Sequence, residues 1–133
     1  MPFIKLPLYK LFNNKRGNSN YTKKYCNLNR GPYEVYTGTT IGSFGSIATY
    51  DYDTPNLTYT TDGVHAGTVE ILNGKYNVGG HRAILKSINK NMYLDYFENV
   101  LEPILKSIVK KGNVPSVTWS LIKNIEISVQ INE

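Results

Sequence analysis

Two strand-like stretches of this chain end in short hydroxyl, carboxylate and glycine residues. The first is YEVYTGTT (33–40), and the second is LTYTTDGVHAGTV (57–69). In both, aromatic and β-branched residues alternate before the break, as in a β-strand that runs into a loop. A strand end of this kind places hydrogen-bond donors and acceptors on a rigid support. It suits close-range recognition of a polar surface better than catalysis on a small molecule.

Basic residues are concentrated at the amino-terminal end of the chain. The 133 residues have a net charge of +5, and residues 1–30 contain basic residues but no acidic ones. Clustered lysine and arginine are what neutralisation of nucleic-acid phosphates requires, although a solvated charged face has the same composition. Interleaved tyrosines favour nucleic acid slightly. The basic residues are Lys5, Lys10, Lys15, Arg16, Lys23, Lys24 and Arg30.

The periodicity predicts an α+β fold, a twisted and mostly antiparallel sheet with short helices. Apolar residues at helical spacing predict a helix beginning near Leu94, with Pro103 either kinking it or starting a second helix. Asn73-Gly74 lies between two strand-like runs and is the strongest hairpin signal of the chain. Predicted strands cover about 33–37, 46–51, 57–61, 67–72, 75–78 and 81–87, and a last strand follows near the end.

Two further short helices are predicted near the ends of the chain. Ser19 or Asn20 is expected to cap a helix in the segment YTKKYCNL (21–28), with Leu28 on its apolar face. Thr118 is expected to cap a second helix, WSLIK. These helices and the longer one would cover the sheet.

A metal-dependent nuclease is the least favoured function. Such a site needs carboxylates and a lysine around one cation. The candidates are Asp51, Asp53, Asp62 and Glu70 with Lys75, but no Glu-x-Lys follows any of the aspartates. Loss of DNA cleavage on replacement of Asp62 would be needed to revive this hypothesis.

Other catalytic and cofactor sites are also disfavoured. The glycines of TGTTIGSFG (37–45) lead into a strand rather than a helix, and the chain has no Pro-Pro pair, so the motifs of a methylase are missing. A Gly-Lys-Ser/Thr phosphate-binding motif is missing too. His65, His81 and Cys26 are isolated and lack the paired spacing of zinc ligands. We expect no catalytic residue, no cofactor and no metal.

The composition also indicates where the chain works. A single cysteine fits a reducing cytoplasm. The first ten residues have no signal-peptide pattern, and no apolar run approaches the roughly 18 residues that span a bilayer. A cytoplasmic location without a membrane partner is therefore expected.

Five segments together resemble one target recognition domain of a type I restriction-modification specificity subunit. The resemblance extends from about residue 6 to residue 131. It implies a non-catalytic reader of double-stranded DNA that recognises one half of a bipartite site. Catalysis would reside in separate modification (methyltransferase) and restriction subunits, and the domain itself would need no cofactor. The segments are KRGNSNYTKKY (15–25), YEVYTGTT, TYDYD (49–53), LTYTTDGVHAGTV and GNVPSVTWSLIKNIEISV (112–129).

The resemblance also implies a domain organisation. Residues 1–133 are expected to form a single target recognition domain, without a spacer helix or a second recognition domain. The Asp62-Gly63 turn and the segment 66–68 would have a structural role, since glycine permits tight reversal of a strand. Ser128 departs from the family pattern, which commonly has a proline there.

Candidate DNA-binding residues fall into three groups. Four basic residues would bind phosphates without reading sequence: Lys15, Arg16, Lys23 and Lys24. Four residues at the end of the first strand would approach a groove: Tyr36, Thr37, Thr39 and Thr40. Four residues at later hairpin mouths would distinguish bases: Asp62, His65, His81 and Arg82. Asp62 has a turn role as its alternative, and Arg82 has a cross-sheet ion pair.

Two other binding functions stay open at this point. A protein-interaction or inhibitory module would show little salt dependence and would not need the basic segment. A sequence-independent nucleic-acid binder would stack its tyrosines on single strands and bind them as well as duplex.

Overall fold

Three β-sheets and four helices make up the described part of the computed structural model, which covers residues 2–89, 92–110, 112 and 114–130. The α+β class predicted from the sequence is confirmed. The strands are β1 (Phe3–Pro7), β2 (Phe12–Arg16), β3 (Tyr33–Tyr36), β4 (Gly45–Ile47), β5 (Asn56–Thr60), β6 (Val69–Leu72), β7 (Tyr76–Val78), β8 (Arg82–Ser87) and β9 (Glu126–Gln130). The helices are α1 (Leu8–Leu11), α2 (Lys23–Leu28), α3 (Leu94–Ile108) and α4 (Trp119–Ile122).

The largest sheet has four antiparallel strands in the order β2-β8-β5-β6. A second sheet has the order β4-β3-β7, in which β3 and β7 run parallel. The third pairs β1 with β9, so that Phe3 lies opposite Gln130. The ends of the described chain are therefore neighbours in the fold.

The four-stranded sheet is buried on both faces. Every residue of β5 is buried. On one face Leu57 and Tyr59 pack in the main core, to which α3 contributes Leu101. On the other face Ile84 packs in a smaller cluster with Tyr76. Because side chains alternate along a strand, a sheet with two apolar faces is covered on both sides.

The predicted hairpin at Asn73-Gly74 is wrong. Strands β6 and β7 flank this turn but belong to different sheets, and β7 pairs in parallel with β3. Gly74 has a φ of +76°, so the turn itself forms. The pairing changes because Tyr76 and Val78 bury their side chains with Ile84, and that burial outweighs a local turn preference.

The helix predicted over 21–28 was assigned the wrong cap, and one residue of its predicted apolar face, Leu28, is exposed. Thr22, rather than Ser19 or Asn20, caps α2, and its Oγ1 accepts a hydrogen bond from the Tyr25 amide at 3.1 Å. Leu28 is 74% exposed, whereas Cys26 is buried. α2 starts at Lys23, two residues later than predicted.

Three other local predictions are corrected in whole or in part. α3 is one helix that continues through Pro103, rather than two helices meeting there. Thr118 is the N-cap residue of α4, as predicted, but its side chain makes no capping hydrogen bond. The strand predicted over 46–51 ends at Ile47, and Asp51 instead accepts a hydrogen bond from the Tyr21 hydroxyl at 2.5 Å. None of the described helices is long and apolar enough to cross a membrane.

Several tyrosines are expected to ionise late in a pH titration. Burial is the main cause that raises their pKa above the ordinary value of about 10. The neutral form is therefore favoured in the folded state, and its stabilisation is present below pH about 10 and is lost as the pH rises further. These residues are Tyr21, Tyr36, Tyr52, Tyr59 and Tyr76.

Ultraviolet absorbance and circular dichroism followed together through alkaline pH would check this. In the folded protein these five tyrosines should ionise only as the fold is lost. The chain unfolded in guanidinium is the control, in which all eleven tyrosines should titrate together. A single step near the ordinary value in the folded protein would contradict the prediction.

Candidate nucleic-acid interface

Several strand ends meet at one edge of the four-stranded sheet. Because β8 runs antiparallel to both β2 and β5, its first residues lie beside the last residues of these strands, with Arg16 opposite Ala83 and Thr60 opposite Arg82. The ends of β3 and β7 join them, since the Gly79 amide donates to the Tyr36 carbonyl at 2.8 Å. We call this region the strand-end junction (residues 16–19, 36–40, 60–62 and 78–82).

Two glycines allow the loops of the strand-end junction to touch. A Cβ atom on Gly17 would lie 1.8 Å from the carbonyl oxygen of Gly79, and one on Gly38 would lie 1.9 Å from that of His81. The Gly38 amide donates to the Gly80 carbonyl at 3.1 Å. The loop after β3 is therefore held directly against the segment that leads into β8.

A groove of about 890 Å³ opens at the strand-end junction. Its walls come from four segments that are distant in the sequence, within residues 14–19, 59–62, 80–83 and 116–120. The groove is open to solvent. Its lining contains Arg16, Asp62 and His81, which the sequence had predicted separately as DNA-binding residues.

Asp62 and His81 form a pair inside this groove. The His81 Nδ1 atom lies 2.7 Å from Asp62 Oδ2, and the Thr61 hydroxyl donates to Asp62 Oδ1 at 2.7 Å. His81 has a φ of +63°, a backbone conformation that residues other than glycine rarely adopt. Arg16 is exposed on β2 and supplies positive charge to the same groove.

Arg82 is placed differently from the other predicted base-reading residues. Its backbone borders the groove, but its side chain is 4% exposed and pairs with Glu70 across the sheet at 2.9 Å. Burial lowers the pKa of the guanidinium, and the charge of Glu70 partly offsets this effect. Among the described residues, its Nε and Nη1 atoms have no hydrogen-bond partner. The cross-sheet ion pair left open by the sequence is thus what the structure contains.

The loop after β3 presents part of its predicted polar set. Tyr36 is half-buried and Thr37 is buried, and the Thr37 hydroxyl lies 2.8 Å from that of Thr39. Thr39 is exposed, while Thr40 is half-buried and makes a long hydrogen bond to the Gly42 carbonyl at 3.5 Å. Thr39 is the member of this set that is most accessible to a ligand.

The other predicted phosphate ligands lie outside the groove. Lys15 faces away from Arg16, because neighbouring residues of a strand alternate, and its Nζ atom lies 5.9 Å from the centre of the Tyr52 ring. Lys23 donates to the Phe44 carbonyl at 2.6 Å, and Lys24 is exposed on α2. His65 is half-buried in the loop after β5 and does not line the groove.

Sequence reasoning missed the wall that the carboxy-terminal part of the chain contributes. Trp119, the only tryptophan of the chain, lines the groove from α4. The Val117 amide donates to the Thr61 carbonyl at 2.7 Å, which brings this segment beside β5. Tyr59 and Asn14 also line the groove, and the Tyr59 hydroxyl donates to Asn14 Oδ1 at 2.7 Å. The sequence feature that could have indicated this wall is the single tryptophan, Trp119, which lies among polar residues.

No metal centre is indicated within the described ranges, where no three potential metal-ligating side chains come together. The groove instead offers a guanidinium, an imidazole, an indole, amides and hydroxyls. These groups form hydrogen bonds and ion pairs and pack against planar rings. Such a surface can bind a polar ligand.

Several curated proteins are similar to this chain in sequence. No protein-family model matches the chain. Among curated proteins of Mycoplasma pneumoniae, S.MpnORF201P is 30% identical over 131 residues, and S.MpnORF285P is 33% identical over 110 residues. Both are named as type I specificity subunits. The chain is homologous to part of a type I specificity subunit. The specificity subunit of the type I restriction enzyme MpnII is also similar, at 29% identity over 133 residues.

The match covers only part of each specificity subunit. S.MpnORF201P is matched over 96% of this chain and 54% of its own length, and S.MpnORF285P over 80% of this chain and 36% of its own length. The chain thus spans about half or less of these relatives. Similarity of this extent corresponds to a part of a specificity subunit.

Solved structures show the same fold. The S subunit of a type I restriction-modification system from M. genitalium superposes with a TM-score of 0.79 at 16% identity, over 97% of this chain and 34% of that one. The HsdS subunit from Thermoanaerobacter tengcongensis gives a TM-score of 0.67 at 14% identity, over 96% of this chain and 33% of that one. The α+β arrangement of this chain is therefore a specificity-subunit fold.

Proposed function

We propose that the chain is a non-catalytic, sequence-specific reader of double-stranded DNA. It would act as a single target recognition domain that reads one half of a bipartite site. The observation that carries the proposal is the convergence of Arg16 and the Asp62–His81 pair on one open groove, beside which the loop after β3 packs against the segment leading into β8. The family of the matched proteins supports the same function, since those relatives are named as specificity subunits.

Phosphate contacts and base contacts would come from different parts of this surface. Arg16 is exposed and carries a permanent charge, so it suits phosphate binding, which fixes register without reading sequence. His81 and Thr39 are exposed and carry hydrogen-bonding groups, so they suit hydrogen bonding to base edges. Lys23 and Lys24 on α2 would extend the phosphate contacts beyond the groove.

The partners of such a domain would supply the chemistry. The similar MpnII protein is named as the specificity subunit of a type I restriction enzyme. By analogy, this chain would direct modification (methyltransferase) and restriction subunits to a site on cytoplasmic DNA. The domain would itself need no cofactor.

The proposal is tested by selection from a randomised duplex pool. The purified domain is incubated with the labelled pool at low and moderate salt, binding is followed by fluorescence anisotropy, and the bound fraction is sequenced. A short enriched motif and steep salt dependence are expected. Salt-sensitive binding without a motif, or equal binding of single strands, would instead indicate a sequence-independent binder. Absence of binding would favour a protein-interaction module.

Replacing Arg16 by alanine is expected to weaken binding to all sequences alike. Loss of one phosphate contact should reduce the slope of log K against log salt by about 0.9. The matched control is Lys86→Ala, which removes an equal charge from an exposed position on β8, opposite Asn13 and away from the groove. Equal salt slopes for the two variants would contradict the placement of DNA at this groove.

A further inference from the structure

Resting on the proposed function, we propose that Asp62 positions His81 and that the Nε2 atom of His81 is the specificity-determining acceptor. Its ligand would be the exocyclic amino group of a base. Asp62 would not contact DNA itself. The sequence predicted Asp62 and His81 as independent base-contacting residues, whereas in this proposal only the Nε2 atom of His81 contacts a base.

The backbone of His81 is fixed before any ligand binds. Its carbonyl oxygen accepts a hydrogen bond from the Thr61 amide at 3.0 Å and packs against Gly38. Its φ of +63° is sparsely populated for histidine, and surrounding contacts are needed to maintain such a conformation. The imidazole therefore projects from a defined point at the strand-end junction.

The side chain of Asp62 is occupied by the protein. One carboxylate oxygen accepts from the Thr61 hydroxyl and the other faces His81 Nδ1, each at 2.7 Å. Its backbone is held as well, through a β-bridge to Ser116. The side chain of Asp62 is 31% exposed and that of His81 is 53% exposed, so the imidazole is the more accessible partner. A carboxylate would also be repelled by DNA phosphates.

This pairing determines what His81 offers to a ligand. An ionised carboxylate only accepts hydrogen bonds, so the Nδ1 atom must carry the proton. In the neutral ring the Nε2 atom is then an acceptor, and no described residue forms a hydrogen bond with it. The donors that DNA bases present are the amino groups of adenine, cytosine and guanine. With a neutral ring, His81 therefore favours an amino-bearing base edge over a carbonyl edge.

A double-mutant cycle on the enriched duplex tests the division of roles. His81→Gly removes the ring without backbone strain and is expected to weaken binding roughly tenfold. Asp62→Ala should weaken it less, and the double variant should match His81→Gly. Asp62→Asn should restore most of the affinity, because its side-chain oxygen still accepts from Nδ1. An additive effect of Asp62→Ala on His81→Gly would overturn the positioning role.

Base analogues test the reading atom. At one position of the motif, replacing the base by an analogue without its amino group should weaken wild-type binding and leave His81→Gly unaffected. Adenine, cytosine and guanine analogues distinguish the three sources of the amino group. Equal losses in both proteins at every position would overturn the proposed role of His81.

Nitrogen NMR of the free protein at alkaline pH supplies a readout independent of DNA. The His81 ring should be protonated on Nδ1 in the wild type and shift toward Nε2 protonation in Asp62→Ala, with amide spectra verifying that both are folded. An unchanged tautomer would overturn the positioning role. A pool that yields no motif would overturn the proposed function and the reading role together, whereas a motif that is insensitive to His81→Gly would overturn this inference alone.

Discussion

Replacing Gly38 by alanine is expected to lower the free energy of unfolding by about 3 kcal/mol, the upper end of the cost of overpacking. The added Cβ would lie 1.9 Å from the His81 carbonyl oxygen, which is backbone and cannot move aside as a flexible side chain would. The loop after β3 would have to separate from the segment leading into β8. DNA binding should fall more than stability alone explains, because Thr39 and His81 would lose their relative placement.

Gly80 provides a matched control for this variant. It lies in the same strand-end junction, but the nearest heavy atom to an added Cβ is the Ser19 Cα at 3.8 Å, an ordinary contact distance. Gly80→Ala should therefore change stability by no more than about 0.5 kcal/mol. Urea unfolding and duplex binding of both variants would check the prediction. Similar stability of Gly38→Ala and Gly80→Ala would contradict close contact between the loops.

Replacing Glu70 by alanine is expected to lower the free energy of unfolding by about 2–3 kcal/mol, because it leaves the buried Arg82 guanidinium without its counter-charge. Two nitrogen atoms of the Arg82 guanidinium, Nε and Nη1, already have no hydrogen-bond partner among the described residues. The estimate lies below the usual cost of breaking a buried pair, since the Glu70 side chain is 41% exposed and partly screened.

The converse variant should be milder. Arg82→Met keeps an apolar stem but removes the buried charge, and it leaves Glu70 in contact with water. A loss below about 1 kcal/mol is expected for it, and the double variant with Glu70→Ala should be close to Arg82→Met. Urea unfolding of the three variants measures this order. Greater destabilisation by Arg82→Met than by Glu70→Ala would show that packing of the arginine stem dominates.

Strand positions were predictable because alternation is local, whereas strand partners were not. Leu57 and Tyr59 stand in a run with strong strand preference, and β5 forms there. Asn73-Gly74 carried an equally strong hairpin signal, yet β7 joins the distant β3. The choice is made by the burial of Tyr76 and Val78, which depends on residues that a local pattern does not include.

The candidate site was predictable as a set of loop residues but not as a set of contacts. Asp62 and His81 were each selected because they follow or precede strand-like runs, and their pairing depends on the register between β5 and β8. Arg82 shares a strand face with Ile84, which is buried, so its inward direction follows once β8 is known. Trp119 joins the groove through long-range hydrogen bonds that no spacing reveals.

The hydrogen bonds that close the groove tie its existence to the whole fold. The amides of four residues each donate to a carbonyl at least 20 residues away in the sequence: Gly17, Gly38, Thr61 and Val117. No single hairpin or helix can retain these contacts after the rest has melted, so partial unfolding abolishes recognition. A ligand held only by the assembled groove would in turn protect the entire domain against unfolding. DNA binding and the free energy of unfolding then both report on the equilibrium between the folded and unfolded domain.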